Sequence, residues 1–420
     1  MKIRFFLLLI FLLTMHFGAN AQALIEDKDT TYIIIGGAVR FNTLYTIYEG
    51  KSFPLPTENR NGFFWDTWRF EAKGQTKNIG LNFEYRFYPG FNTHFVKKAF
   101  LYHDFSDRLQ MQLGVTQVPF GALEFSGNSW WFHMPYYFGL EDDYDTGIKF
   151  EWQNSNWTYH IAYFLMAEPR GVSEPGYGSF PSARYSYDVI PENGYNGNKE
   201  RNQLNARSEY EKGKFLIGFS GQFGEIYNSN TTNSFTHWAA AFHSQYSVKE
   251  EAKIKFQFTH YDYPNSTDDS GNPVEHINMG AYGFDTYQVA SNASTFSLGL
   301  SYEYKVDWGP ISSLTFYDDY SYMHKYGSIE ILGTDYKFVD SHQNILGFMV
   351  TAGNTFTFFD IASGINQPWL SDSFGGNALS SGRGQNVGET VGITEEGAFN
   401  PPQSNPTINT RFNINIGYYF

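Results

Sequence analysis

Much of the chain alternates. Leu109, Met111, Leu113 and Val115 are interleaved with Gln110, Gln112, Gly114 and Thr116, which in a strand sets an oily face opposite a wet one. The same period of two runs through Ile79, Leu81, Phe83, Tyr85 and Phe87, set against Asn82, Glu84 and Arg86. It recurs in Phe215, Ile217, Phe219 and Phe223 against Ser220 and Gln222, and in Phe296, Leu298, Leu300, Tyr302 and Tyr304 against Ser297, Ser301, Glu303 and Lys305. At the far end Phe412, Ile414, Ile416, Tyr418 and Phe420 alternate with Arg411, Asn413, Asn415 and Gly417. Segments 94–105 and 338–350 have strand length but alternate poorly, so their faces stay unassigned.

About sixteen such segments can be laid out, near 32–48, 63–74, 78–88, 94–105, 108–118, 144–153, 156–167, 201–211, 214–225, 234–248, 251–263, 293–306, 310–324, 338–350, 353–363 and 407–420. Their connections alternate in length, except for short outer loops at 89–93 and 226–233. Ser106-Asp107, Ser155, Lys212-Gly213 and Gly353 are short, whereas 119–143, 168–200, 264–292, 325–337 and 364–406 are long and rich in Gly, Pro, Ser and Asn. An even number of strands joined by alternating short turns and long loops predicts an all-β protein, a transmembrane antiparallel β-barrel. Charge on the lipid face costs roughly 2–4 kcal/mol at the midplane for a base, so the charged face is expected to line the lumen.

Composition agrees. Aromatic residues make up 19% of the 420-residue chain, led by 41 Phe and 31 Tyr, yet mean hydropathy is −0.41. Rings with polar tips suit a membrane–water interface. There is no Cys, which excludes disulfides, thiolate metal sites and a lipidated cysteine. A net charge of −14 argues against nucleic acid, whose phosphates need a basic footprint. Lys2 and Arg4, an apolar run from Phe5 to Leu13 and Ala19-Asn20-Ala21 read as a secretory signal peptide over 1–21, too short to span a bilayer. Its removal would leave residues 22–420 as one barrel domain. Phe420, closing an alternating strand, looks like the terminal aromatic that barrel-insertion machinery reads in bacterial outer-membrane proteins.

One loop stands apart. After Val118-Pro119-Phe120-Gly121 the chain runs through Phe125, Trp130, Trp131, Phe132, Tyr136, Tyr137 and Phe138 to Glu141-Asp142-Asp143, with no Lys or Arg. So greasy a segment is expected to fold inward and narrow a pore; the alternative is a surface hairpin tip packed on its own rings. Glu124, Trp130, Trp131, Tyr136, Tyr137, Glu141, Asp142 and Asp143 are the candidate constriction. The four aromatic residues offer a stacking surface for sugar rings, or simply pack the loop on the wall. Alternation places Arg40, Arg69, Lys73, Glu84, Arg86, Lys149, Glu151, Arg207, Lys255, Lys305 and Arg411 on the lumen wall. They either form facing rows with a transverse field or pair across strands.

The run from Leu109 to Glu124, with Gly114, Pro119, Phe120 and Gly121, resembles the strand-into-loop signature of the phosphate-selective porin O/P family, and Phe95 to Tyr102 resembles its adjoining strand. Only residues 94–124 are specific. The resemblance implies a sixteen-stranded, trimeric outer-membrane channel whose loop after the fifth strand enters the barrel. The family's phosphate-selecting members use cations at the constriction; this loop carries carboxylates instead, so phosphate selectivity is not carried over, and weak cation preference or near neutrality is expected.

The expected activity is passive diffusion of small polar or charged solutes across a Gram-negative outer membrane. A rim-located hydrolase or an adhesion barrel is the alternative. No catalytic motif, cofactor motif or calcium-loop spacing is present. Glu141-Asp142-Asp143-Tyr144-Asp145 supplies oxygens that suit Ca²⁺, but it reads more simply as solvated loop charge, and no metal is expected.

Overall fold

In the computed structural model of the chain the described residues are 23–27, 31–48, 51–53, 62–123, 125–173, 180–192, 196–283, 286–331, 334–367, 370 and 408–420. The expected signal peptide and Glu124 lie outside them. Sixteen long strands follow one another: β1 (Thr31–Tyr48), β2 (Gly62–Thr76), β3 (Ile79–Tyr88), β4 (Thr93–Ser106), β5 (Leu109–Gln117), β6 (Tyr144–Asn154), β7 (Trp157–Ala167) and β8 (Asn198–Lys212). Then come β9 (Phe215–Asn228), β10 (Ser234–Ser247), β11 (Ala252–Asp262), β12 (Asn292–Trp308), β13 (Ile311–Tyr326), β14 (Ser341–Ala352), β15 (Thr355–Ile365) and β16 (Asn409–Tyr419).

Each strand pairs antiparallel with the next, and β16 returns to β1 in a register from Ala38 opposite Tyr419 to Ile47 opposite Thr410. The barrel is therefore closed, which satisfies every ladder without water, as a bilayer requires. Where β16 falls short of the start of β1, a short strand over Ala23–Asp27 pairs with Thr31–Ile35 instead. Among the described residues no helix is long and apolar enough to cross a membrane, which says nothing of a β-barrel. Tight turns close one end, as at Gly353, whose φ of +58° admits glycine without strain. The long loops gather at the other end.

The wall is inverted relative to a water-soluble protein. Ile161 and Phe219 on its outside are 61% and 60% exposed, while the inward Asn205 and Gln257 are 0% and 1% exposed. This is the face assignment expected from alternation. The poor alternation of 94–105 has a physical cause: Glu84 pairs with Lys98 while the next residue, Tyr85, pairs with Val96. Lys97 is thus an extra residue, a β-bulge that shifts the period by one. In β14 the inward face holds the fully buried Ile345, packed with Ala362, Leu370 and the loop's Trp131, so hydropathy there does not distinguish inside from outside.

Candidate functional site

The connection between β5 and β6 is pinned at its root, where the Val118 N–H donates to the Asp143 carbonyl at 2.9 Å. Gly121 then turns with φ of +59°, and a Cβ there would stand 2.7 Å from the Gln257 side chain. Its N–H donates to Ser220 Oγ and its carbonyl accepts from Arg207 Nε. The Ala122 N–H donates to Gln257 Oε1. Further along, Lys255 Nζ donates to the Phe125 and Gly127 carbonyls. The N–H groups of Asn128 and Ser129 both donate to Asp319 Oδ2 at 2.6 Å, Met134 N–H donates to Ser321 Oγ, and Gln343 Nε2 donates to the Phe132 carbonyl. A segment rooted between β5 and β6 therefore bonds to inward side chains of β8, β9, β11, β13 and β14.

The aromatic residues divide into two groups. Tyr136 and Tyr137 belong to a short 3₁₀ turn, Met134–Phe138, whose residues are all buried. Their rings pack against Tyr185, Tyr187 and Tyr282 from two other long loops. The hydroxyls are satisfied: Tyr136 bonds Tyr282, and Tyr137 donates to the Trp131 carbonyl at 2.6 Å. These two rings are packing rather than a surface for sugars. Trp130 and Trp131 are half-buried. The Arg40 guanidinium lies 4.2 Å over the Trp130 ring and that of Arg411 lies 4.3 Å over Trp131, a cation–π geometry that sets both indoles against β1 and β16.

The loop carboxylates differ from the expectation of solvated charge. Glu141, Asp142 and Asp143 are 3%, 8% and 8% exposed. Asp142 is held by Lys97 Nζ at 2.9 Å, the Tyr185 hydroxyl at 2.5 Å and Gln117 Nε2 at 3.1 Å. Glu141 accepts from the Ser126 N–H, and burial pushes its carboxyl up to about 7. Burial first, and then the neighbouring Asp188 and Glu200, raise Asp143 well above the usual carboxylate range. The aromatic packing that folds the loop also removes water from its acids, so they do not present free charge to a solute.

Among the wall residues, Arg40 pairs with Asp66 at 3.1 Å, Arg69 with Glu71 at 2.7 Å and Arg86 with Glu84 at 2.6 Å. Glu84 also meets Arg69 at 3.9 Å and Lys98 at 3.5 Å. Arg207 pairs with Glu209, and Glu151 with His160 at 3.4 Å. Lys149 donates to the Gln117 carbonyl at the loop root. Opposite charges interleave both along a strand, as in Arg69–Glu71, Arg86–Glu84 and Arg207–Glu209, and between neighbouring strands, as in Arg40–Asp66. Lys73 and Lys305 stand exposed near the short-turn end. Sequence reasoning missed Lys97 and Asp319. Two consecutive lysines inside a strand were the available signal, because strict alternation would put one of them in lipid.

No family model matches the chain, and no curated protein does. Solved structures do. The outer-membrane channel DcaP of Acinetobacter baumannii is similar at a TM-score of 0.54 with 11% identity, covering 95% of this chain and all of that one. OmpF of Salmonella typhi, in complex with daunomycin, is similar at 0.55 with 12% identity, covering 95% and 100%. The anion-selective porin from Comamonas acidovorans is similar at 0.54 with 12% identity, covering 93% and 100%. At such identities the likeness is one of fold, and the chain has the closed sixteen-stranded β-barrel architecture of these outer-membrane channels.

Proposed function

We propose that the protein is a passive porin of a Gram-negative outer membrane, conducting small polar or charged solutes through a water-filled lumen narrowed by residues 119–143. The observation that carries this reading is the pairing of two features: an inverted barrel wall, apolar outside and charged inside, and a connecting loop bonded to inward side chains on the far strands. Residues 1–21 direct export in this reading, and Phe420 serves the assembly machinery. Phe420 already zips the seam, exchanging two backbone hydrogen bonds with Gly37 at 2.8 and 3.0 Å.

The resemblance of residues 94–124 to the phosphate-selective porin O/P family supports a homotrimer. A second observation favours association: Asp318, between the outward Phe316 and Tyr320, accepts from Asn344 at 2.6 Å. A carboxylate on a lipid face is unfavourable, and a second copy of the chain would cover it. Ohmic single-channel currents in planar bilayers test the porin reading. A folded barrel that passes no current overturns it.

A further inference from the structure

Five carboxylates converge behind the loop root. Asp143 ends the loop, Asp145 opens β6, Glu168 follows β7, Asp188 belongs to the next long connection, and Glu200 lies at the start of β8. Oxygens of Asp143, Asp145 and Asp188 all lie within 4.8 Å of one another. Asp145, Glu168 and Asp188 are 2%, 1% and 1% exposed. The only basic side chain bonded to this group among the described residues is Arg184, whose Nη1 donates to Asp188 Oδ2 at 2.6 Å.

The hydrogen bonding leaves oxygens over. Glu168 Oε1 accepts from the Ser186 N–H at 2.7 Å, and Asp145 Oδ2 accepts from Gln203 Nε2 at 3.4 Å. Asp145 Oδ1, Asp188 Oδ1 and Glu168 Oε2 are buried and meet no N–H or hydroxyl donor among the described residues, although Glu168 and Asp188 stand close enough to share a proton. Unpaired carboxylate oxygens this close, away from water, repel one another and forgo solvation. Every donor is a carboxylate oxygen, with no imidazole or thiolate, which suits a hard cation. Ca²⁺ takes six to eight oxygens in flexible geometry, whereas Mg²⁺ demands an octahedron and keeps its waters.

We propose that Asp143, Asp145 and Asp188, with Glu168 beside them, bind one Ca²⁺ ion. The ion ties the root of the loop and the start of β6 to the connection that carries Asp188. It stabilises the fold whether or not the barrel conducts.

The test uses the full chain, folded in detergent and stripped with EDTA. Tyr263, whose charged neighbours include Glu200, Asp143 and Asp188, should sensitise bound Tb³⁺. Saturable Tb³⁺ luminescence that Ca²⁺ displaces is expected, with Asp145→Asn and Asp188→Asn each weakening binding by about tenfold or more, because each removes a ligand charge. Asp268→Asn, in an exposed acidic turn elsewhere, should leave it unchanged. The unfolding temperature of the parent protein should rise on adding about 5 mM Ca²⁺, well above the affinities of exported calcium modules, and this holds as a test even where a variant does not fold. No saturable luminescence, an affinity indifferent to Asp145 and Asp188, or an unfolding temperature equal in EDTA and Ca²⁺ would overturn the site; carboxyls that merely hold protons give that last result.

Discussion

Asp319 on β13 holds Asn128, 191 residues earlier in the chain, by two hydrogen bonds: the Asn128 N–H donates at 2.6 Å and its Nδ2 at 2.7 Å. The neighbouring Ser129 N–H adds a third at 2.6 Å. Asp319 is 0% exposed, so these bonds to a charged acceptor are shielded from competing water. Each is worth ~1.5–3 kcal/mol, enough to fix the loop tip against the wall.

Asp319→Ala should therefore free the tip. Single-channel conductance is expected to rise and open-channel noise to increase, while the barrel still folds, since no ladder hydrogen bond is lost. Asp319→Asn, which keeps an acceptor but not the charge, should give an intermediate value. Parental conductance in a folded Asp319→Ala protein would place the tip away from the conducting path.

Glu141 predicts a pH dependence. Lys255, Asp142 and the Ser126 N–H face its carboxyl, and desolvation is the largest influence, raising it from 4.5 to about 7. The folded loop keeps a proton that the unfolded chain releases. The stability this confers is complete below about pH 4.5 and is lost as pH climbs through about 7, a change of roughly 3 kcal/mol. Hydrogen exchange in residues 125–141 should be slower at pH 5 than at pH 8 after correction for intrinsic rates. Glu141→Gln should abolish the difference; a variant that keeps it would assign the effect elsewhere.

Selectivity should follow pairing rather than the count of acids in the loop. Asp142 neutralises Lys97. Asp142→Asn leaves Lys97 with Glu84 as its remaining acidic neighbour and should move the reversal potential toward anions, by a few millivolts in a tenfold salt gradient. Glu141→Gln should leave it unchanged at pH 5, where that carboxyl is protonated. Equal shifts in both would mean that the loop acids act together as open charge.

The outward Asp318 predicts an oligomer. If a second copy covers it, Asp318→Leu should reduce the cross-linked trimer extracted in mild detergent. If it faces lipid, the same change should stabilise the monomer and leave assembly untouched.

The period of two along the chain determined which residues could face lipid. Ile79 and Leu81, or Phe215 and Phe219, could not sit on the same side as Glu84 or Gln222, because a strand alternates and the membrane penalises charge. With connections mostly alternating between short and long, that was enough to predict sixteen antiparallel strands and the faces of those that alternate, but not of 94–105 or 338–350. The tertiary structure alone decided the rest. A bulge at Lys97 depends on the partner strand's register, which local pattern does not encode. The interior position of Ile345 is tolerable because Ala362, Leu370 and Trp131, the last more than two hundred residues away in sequence, pack against it. The acids at 141–143 looked solvated since their neighbours in sequence gave no sign of Tyr185, Lys97 or Asp188. What a carboxylate does depends on burial and on its partners. Those come from other loops, brought together only when the barrel closes.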